Sequence, residues 1–472
     1  MIPCASTARS AAAAPLPSRR GADRGIGRPG PIAGGRPAEA ERLIDRVIVW
    51  LMLLATVSAF TVSAAMLTTW KIHYVTTSGN FYEKLHPATY FALLAFCLLL
   101  ARDGDPIGEI DRMFSEAKLV LVYLLCWLAL LVQMLVLERP FTVIIDTFLL
   151  PVVLCLTVWR LSPRQRRPLV WGLHLAILLN VILGYYEYFS GHRLIPLALG
   201  DVIVLGEWRA SALFGHPLTA ASLVGGYVLA LILRPALCPP APLRLPLIAF
   251  CLGSLMAFGG RTALVTVLLV IGGFAVLEII RILRGKRTSL PMAIGTICLL
   301  FVTAAGIFAA LDLGIFDKML LRFSSDKGSA HARYATFDLL SHFDWRELML
   351  GPNPVRASAL QTQFGLRYGI EDFWIASIVQ FGIVHTTLLT IGLVGLFAEI
   401  LRRASGAAWA IILLVFVVAA SSVSFSSKNI QLAQFILLIT LLLPRERRIA
   451  APAGPGIRAG RRPPPDVPMR SG

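Results

Sequence analysis

Residues 245–283 read LPLIAFCLGSLMAFGGRTALVTVLLVIGGFAVLEIIRIL. Two apolar runs flank the stretch GGRT at 259–262, and the second run is close to the length of about 20 residues that crosses a bilayer. Lys and Arg, which are enriched in cytoplasmic loops, stand at the far ends of both runs, at Arg244 and within 281–287. The stretch therefore predicts a membrane hairpin with Arg261 in its tight outer turn.

The rest of the chain repeats this pattern of apolar runs and short charged connections. Of 472 residues, 15% are charged, whereas an ordinary soluble domain carries about a quarter. The mean hydropathy is +0.72, and apolar runs recur from residue 47 almost to the end. These features predict an all-α polytopic membrane protein with about twelve transmembrane helices and argue against a large soluble domain.

The charges of the connections predict the orientation. With the N-terminus inside, the connections rich in Lys and Arg fall on the cytoplasmic side, as the positive-inside rule requires. The predicted inner connections are 102–118, 160–167, 234–244, 281–287 and 402–403, and the predicted outer ones are 68–86, 138–140, 190–215, 259–262, 311–372 and 427–429. An even number of helices then leaves both termini in the cytoplasm.

Four segments follow from this map. Residues 1–44 and 444–472 are two basic tails, 45–443 is the transmembrane domain, and 311–372 is a periplasmic loop within it, between helices nine and ten. The tails are rich in Arg, Pro, Gly and Ala, a composition that cannot bury a core, so we expect them to be disordered on the cytoplasmic membrane surface. The net charge of +17 concentrates in the tails and the inner connections. Membrane lipid, not nucleic acid, is therefore the expected partner of this charge.

Among the arginines on the predicted outer side, where positive charge is normally depleted, seven are candidates for a functional role. They are Arg209, Arg261, Arg322, Arg333, Arg346, Arg356 and Arg367. For Arg346, Arg356 and Arg367 we favour a solvated loop charge or a lipid headgroup contact. Arg209 and Arg261 differ, because the first precedes an apolar helix closely and the second is held at the membrane surface by its short turn. Two fixed guanidinium groups at that depth suit bidentate binding of a diphosphate.

Acidic residues provide possible counterparts to these arginines. Asp146 and Glu187 fall inside predicted helices near the outer side, and ionisable groups in a bilayer are costly and usually paired. Each either pairs with an outer arginine or shapes the site. Glu371 and Asp372 precede an apolar run, where either could cap the helix. Glu371 could alternatively act as a base.

The long outer loop carries a further cluster. On a helix, Ala330, Tyr334, Phe337 and Ser341 share one face, and His331, Asp338 and His342 share another. The pattern predicts a helix lying on the membrane or on the bundle. Asp338 and His342 could share a metal ion, but without a third ligand a hydrogen-bonded surface pair is favoured.

Three features resemble the O-antigen ligase and polymerase superfamily: RASALFGHPL at 209–218, GRTAL at 260–264, and the long outer loop. More narrowly, the chain resembles the VpsF-like group of exopolysaccharide biosynthesis proteins. The resemblance implies an inverting glycosyltransferase of the GT-C type in the bacterial inner membrane. It would use a glycan linked to undecaprenyl diphosphate as donor, with no metal or other cofactor, and could work beside other polysaccharide assembly proteins.

The same resemblance implies which residues bind the donor. Family members hold the lipid diphosphate with one arginine before the helix-six motif and another in the turn between helices seven and eight, which match Arg209 and Arg261. Arg333 resembles a further arginine early in the long loop. We also place His216 and Arg322 among the candidate contacts of the lipid diphosphate or the glycan.

One departure from the family concerns the base. The ligases carry a histidine followed by an asparagine at the end of the long loop, where this chain has Glu371 and Asp372. Glu371 is therefore the candidate that takes the proton from the acceptor hydroxyl. His331 or His342 is the alternative.

Three functions remain open at this stage. The first is a polysaccharide polymerase that joins lipid-linked repeat units at the periplasmic face, which the missing ligase histidine favours. The second is a ligase that transfers glycan to another acceptor. The third is a flippase or secondary transporter, which should show internal repeats and buried charges near the midplane. The sequence shows no convincing repeat, and its notable charges lie near the outer side.

Overall fold

The computed structural model describes residues 38–76, 78–199, 202–203, 208–233, 239–285, 312, 314, 317, 329–366, 369–421 and 427–445. The described residues are helical apart from their connections and one short antiparallel pair, Ala198–Leu199 with Val202–Ile203. The chain divides into two units, Met1–Leu43 and Ile44–Gly472. The predicted ninth helix, between 287 and 311, and almost all of both predicted tails lie outside the described residues.

The described helices are named here in chain order. They are α1 (Ala38–Thr61), α2 (Ala64–Thr69), α3 (Pro87–Ala101), α4 (Pro106–Glu116), α5 (Lys118–Val136), α6 (Thr142–Arg160), α7 (Pro163–Ser190), α8 (Pro217–Ile232), α9 (Ala241–Phe258), α10 (Arg261–Leu283), α11 (Ser329–Ser341), α12 (Trp345–Leu350), α13 (Pro354–Gln363), α14 (Phe373–Arg403), α15 (Trp409–Ala419) and α16 (Gln431–Leu442). Within α6, Ile145–Leu149 forms a π-helical turn.

Six described helices, α1, α5, α6, α7, α10 and α14, are long and apolar enough to cross a membrane. Five shorter apolar helices accompany them, so the chain is a helical membrane protein. The total of about twelve transmembrane helices stays a prediction. A helix of 12 residues such as α16 rises only about 18 Å, which is less than the ~30 Å hydrocarbon core.

The sequence predicted some helix bounds well and others poorly. The helix predicted at 87–101 is confirmed as α3. The single helix predicted at 47–67 is wrong, because α1 ends at Thr61 and the Ser63 side chain caps a separate helix by accepting from the backbone N–H of Met66 at 3.3 Å. The inner connection 102–118 contains α4, a helix that the sequence reasoning missed. Asp105 caps α4 by accepting from the N–H of Gly108 at 2.9 Å.

The centre of the bundle is formed by α6, α8 and α16, whose side chains are almost all buried. Close approach depends on small residues here, as in other membrane bundles. A Cβ on Gly226 of α8 would lie 3.0 Å from the Cε1 atom of Phe435 in α16. At the periphery, α10 exposes Leu268 and Leu269, which suits a surface that faces lipid.

The long loop has a small core of its own, which closes against the first turns of α14. Leu339, Phe343, Leu366 and Ile370 are buried in it with Val379 of α14. Because this core includes both loop and helix residues, the described loop segment is held on the end of the bundle.

Helix α14 bends sharply near its start. Gly382 has φ 82° and ψ 164° inside the helix, a conformation that only glycine adopts without strain. The bend lies against the loop, since a Cβ on Gly382 would be 2.4 Å from the backbone nitrogen of Gly351. Gln133 of α5 donates from Nε2 to the carbonyls of Leu350, at 2.7 Å, and Phe381, at 2.8 Å. The Gln133 side chain thus hydrogen-bonds to both the loop and the bend.

Contacts bring several predicted outer connections together at one end of the bundle. Lys428 donates to the carbonyl of Lys84, and a Cβ on Gly215 would lie 2.6 Å from the Ser63 hydroxyl. The N–H of Ala210 donates to the carbonyl of Ala257 at 3.0 Å. We call this the Arg209 end, comprising the connections 62–86, 138–141, 191–216, 259–260 and 427–430.

Predicted inner connections meet at another place. Arg160 pairs with Glu109 at 2.9 Å, and Arg403 donates to the carbonyl of Glu116 at 2.7 Å. This is the Arg160 end. Which end faces the periplasm stays a prediction.

Candidate functional site

The stretch 209–216 is fixed at the Arg209 end by a buried carboxylate. Glu187, in the last turn of α7, is 3% exposed. Its Oε2 accepts from the N–H groups of Ser211, at 2.8 Å, and Ala212, at 2.9 Å, and its Oε1 accepts from the N–H of Leu194 at 3.0 Å. The predicted alternatives were pairing with an outer arginine or shaping the site. The contacts of Glu187 with backbone donors on both sides of Arg209 support the second.

The following residues of the stretch are fixed as closely. Asn180 of α7 accepts from the N–H of Leu213 at 3.0 Å, and the ring of Phe214 meets that of Phe60 edge-on at 6.4 Å. Gly215 has φ 73°, and a Cβ there would lie 2.6 Å from the Ser63 hydroxyl at the break between α1 and α2. These contacts restrain residues 213–215, which follow Arg209 closely in the chain.

The structure brings Arg209 and the turn before Arg261 together. Gly259 ends α9 in the left-handed conformation with φ 64°. A Cβ there would lie 2.7 Å from Cγ of Arg209 and 2.8 Å from its Cδ. The methylene chain of Arg209 therefore lies directly on Gly259. A Cβ on Gly260 would likewise lie 2.3 Å from the Cβ of Ala221 in α8, so the turn is pressed between α8 and Arg209.

Arg261 is the first residue of α10 and stands at one end of a long apolar groove. The groove has a volume of about 1060 Å³ and runs between α10 and α15. Its described lining includes Thr262, Leu269, Phe274, Trp409 and Leu413. A cation at a helix N-terminus opposes the helix dipole.

The sequence matches no protein-family model and no curated protein.

Arg193 is a site residue that the sequence reasoning missed. It follows α7 and donates from Nη2 to the carbonyl of Arg209, which adds a third guanidinium group to the region of Arg209 and Arg261. It lies within the outer connection predicted at 190–215. The available signal was that Arg193 is a further arginine on the outer side, close to Glu187.

His216, predicted as a substrate contact, caps α8 in the structure. Its Nδ1 accepts from the N–H of Leu218 at 3.3 Å, and Pro217 occupies the first helical position. This local role explains a histidine at this position, and a contact with substrate stays a prediction. Arg322 lies outside the described residues. Arg333 belongs to α11, and its side chain is outside the described part.

Glu371, the candidate base, lies half-buried immediately before α14. Its neighbour Asp372 is the cap, because its side chain accepts from the N–H of Ile375 at 2.9 Å. Trp374 stacks on Phe416 of α15 at 6.1 Å between ring centres. The first turn of α14, which follows Glu371, therefore contacts α15, the second wall of the groove. Arg209 lies beside the turn at the end of the first wall, α10.

The arginine side chains of the long loop that the structure describes are exposed. Arg346 is exposed, as the solvated-charge interpretation predicted, and Arg367 lies outside the described residues. Arg356 is exposed as well, which agrees with the same interpretation. It pairs with Glu347 at 2.7 Å and donates to the carbonyl of His342 at 2.9 Å, because α12 and α13 place these groups side by side.

The predicted face with Asp338 and His342 is explained by ordinary helix contacts. Nδ1 of His342 lies 2.8 Å from the backbone carbonyl of Asp338, and its ring meets that of Phe364. His331 belongs to α11, and its side chain is outside the described part. Among the described residues, no three His, Cys, Asp or Glu side chains form a group that could hold a metal ion.

A second buried carboxylate, Asp146, organises another part of the Arg209 end. It is fully buried and accepts from the hydroxyls of Tyr74, at 2.9 Å, and Thr89, at 2.6 Å, and from the N–H of His86 at 3.1 Å. We call Asp146 and these partners, with Lys428, the Asp146 junction. The structure thus gives Asp146 hydroxyl and amide donors and a nearby lysine, where the sequence predicted an outer arginine or a place in the site.

Lys428, which the sequence reasoning did not single out, completes the junction. Its Nζ lies 4.3 Å from the centre of the Tyr74 ring and donates to the carbonyls of Tyr74, at 3.1 Å, and Lys84. Burial lowers the pKa of Lys428 to about 8, and the charge of Asp146 opposes that shift. Burial also lowers the pKa of His86 to about 4.

Proposed function

We propose that this protein transfers or polymerises glycan units carried on undecaprenyl diphosphate, with inversion at the anomeric carbon, at the periplasmic face of a bacterial inner membrane. The supporting observation is the position of Arg261. It stands at the end of a 1060 Å³ apolar groove, and the turn before it contacts the side chain of Arg209. Cations at the end of an apolar groove match a ligand with an anionic head and a hydrocarbon tail.

In the proposed reaction the acceptor hydroxyl oxygen attacks the anomeric carbon of the donor sugar. The bond from that carbon to the diphosphate oxygen breaks, and the lipid diphosphate leaves with the electron pair. Arg209 and Arg261 stabilise the charge that builds on the departing diphosphate. Glu371 takes the proton of the attacking hydroxyl, and Arg193, through the carbonyl of Arg209, helps to position the site.

The test is a comparison of arginine variants with a matched control on the same helix. Arg209→Ala and Arg261→Ala should each reduce polymer at least ~100-fold while the protein accumulates normally. Arg281→Ala is the control, since Arg281 lies at the other end of α10 and pairs on the surface with Glu278. Wild-type polymer in both Arg209→Ala and Arg261→Ala would disprove the diphosphate site.

Glu371→Gln tests the proposed base separately. Because Asp372 caps α14, the substitution keeps that cap and should abolish polymer. Retained polymer would show that the base lies elsewhere, with His331 and His342 as the next variants to examine.

The glycans of a deletion strain distinguish the three functions. Single repeat units on lipid at the outer face would indicate a polymerase, which we expect. Long unattached polymer would indicate a ligase, and units trapped inside the cell would indicate a flippase.

A further inference from the structure

A second cavity lies at the Arg209 end and shares no described lining residue with the groove beside Arg261. Its volume is about 290 Å³, the lower edge of the range for small-molecule sites. It lies between the connection after α5, helix α13, the bend of α14 and residues 427–428. A cavity of this size suits one sugar ring better than a polymer or a lipid tail.

The lining combines apolar surface with scattered polar groups. Pro140 and Pro352 provide ring faces, while Ser358 and Gln361 of α13 provide hydroxyl and amide groups. Apolar surface with a few polar groups is typical of sites for small polar ligands. Both charged residues of the described lining are cations, Arg139 and Lys428, so the cavity favours an anionic ligand.

Arg139 is held rigidly in this wall. Its guanidinium donates to the carbonyls of Gly351, at 3.1 Å, Pro352, at 2.8 Å, and Gln380. These bonds use one N–H of Nη1 and both of Nη2, and Nε has no partner among the described residues. The Nε–H and the second N–H of Nη1 are the donors left, and each can make one charge-assisted hydrogen bond to a carboxylate.

Lys428 contributes its charge. Its ammonium donates to the carbonyls of Tyr74 and Lys84 and to the Thr142 hydroxyl at 3.4 Å. Because these three bonds use its donors, Lys428 acts on a ligand through its electrostatic field and leaves the direct contact to Arg139.

A short series of residue contacts links the wall of the cavity to the turn before Arg261. Three residues after Lys428, Gln431 donates to the Ser222 hydroxyl of α8 at 2.6 Å. The neighbouring residue on α8, Ala221, touches Gly260 directly before Arg261. The cavity and the proposed donor site therefore lie at the same end of the bundle and have separate linings, as two substrates of one transfer reaction require.

We propose that this cavity binds a carboxylate-bearing sugar residue of the acceptor glycan, with Arg139 contacting the carboxylate. That the bound glycan is the acceptor rests on the proposed transfer function. That the cavity binds a carboxylate-bearing sugar rests on the cavity itself.

The experiment measures binding of digalacturonate to the full-length protein in detergent by titration calorimetry. Ser358→Trp places a large side chain from an exposed position of α13 into the cavity and should weaken binding at least tenfold. Ala359→Trp is the matched control, because Ala359 is exposed on the same helix and does not line the cavity. The control should bind as wild type does, and the corresponding neutral galactose disaccharide should bind wild type at least tenfold more weakly.

Equal binding by wild type and Ser358→Trp would overturn the site, and equal binding of the acidic and neutral disaccharides would overturn its preference for a carboxylate. Arg261→Ala separates the two proposals, since it should lose polymer and keep digalacturonate binding. If Arg209→Ala and Arg261→Ala both keep wild-type polymer, the proposed donor site fails, and the cavity loses its assignment to an acceptor. If polymer is lost and Ser358→Trp binds normally, the acceptor cavity alone fails.

Discussion

Glu187 and Asp146 are both buried carboxylates at the Arg209 end, and they do different things. Glu187 accepts from three backbone N–H groups around the Arg209 stretch. Asp146 accepts from two side-chain hydroxyls and one backbone N–H, within reach of the charge of Lys428. Glu187 therefore fixes a segment that presents a cation, whereas Asp146 joins α6 to α3 and to the connection 62–86. The comparison teaches that a buried charge near a site can serve either the site or the fold, and that its partners distinguish the two.

The largest expected effect is that of Asp146→Ala. Tyr74, Thr89 and the His86 N–H would lose their acceptor, and Lys428 would lose its opposing charge. Breaking a buried charge arrangement from one side costs about 3–5 kcal/mol. The Tm in detergent and the yield of folded protein should both fall strongly. A shift of Tm no larger than that of an exposed-pair variant would contradict a structural role for the junction.

The next effect is a dependence of stability on pH that comes from His86. In the folded protein Nδ1 of His86 accepts from the N–H of Ala88 and burial lowers its pKa to about 4, while the unfolded chain binds a proton near pH 6.5. Stability is therefore lost as pH falls from 6.5 to 4, by roughly 3 kcal/mol at pH 4. His86→Asn should remove this part of the pH dependence of Tm. Identical profiles for the two proteins would exclude His86 as its source.

Glu187→Gln tests the other member of the comparison. The amide oxygen keeps one acceptor, but the NH2 group cannot accept from backbone N–H, so the cost is about 1–3 kcal/mol. Polymer per folded protein should nevertheless fall sharply, because the backbone of Arg209 is released. The ratio of activity loss to stability loss should be much larger than for Asp146→Ala. If polymer per folded protein is unchanged, Glu187 serves the fold alone.

The smallest effect should come from Arg356→Ala. This arginine pairs with Glu347 on the exposed side of the long loop, and such pairs contribute about 0–1 kcal/mol. Tm and polymer should both stay near wild type. A large loss of polymer would assign the α12–α13 surface a role in the reaction.

Hydropathy predicted helix bounds correctly where the chain changes abruptly from polar to apolar residues. The bounds of α3 and the start of α14 agree with the sequence prediction because apolar composition changes abruptly at Pro87 and Phe373. The break between Thr61 and Ala64 lies inside one continuous apolar run and leaves no hydropathy signal. Helix α4 is amphipathic and charged, so it resembled a loop.

The site was predictable in part, for related reasons. Arg209 and Arg261 violate the charge rule for outer connections, and the structure places the Arg209 side chain against the turn before Arg261. Lys428 is likewise a cation in a predicted outer connection, 427–429, but the sequence reasoning did not single it out, and Gln133 carries no charge. Their partners are backbone carbonyls more than 200 residues away, as for Gln133 with Leu350, and only the fold brings those carbonyls near.

The contact between Gly351 and Gly382 has an evolutionary consequence. A Cβ on either glycine would lie within 3.1 Å of the other's backbone nitrogen. Any side chain at one position would separate the loop from the bend of α14, whatever the residue at the other. The two positions should therefore covary among related proteins. Both should be glycine where the loop docks on α14 in this way, and both should change where it does not.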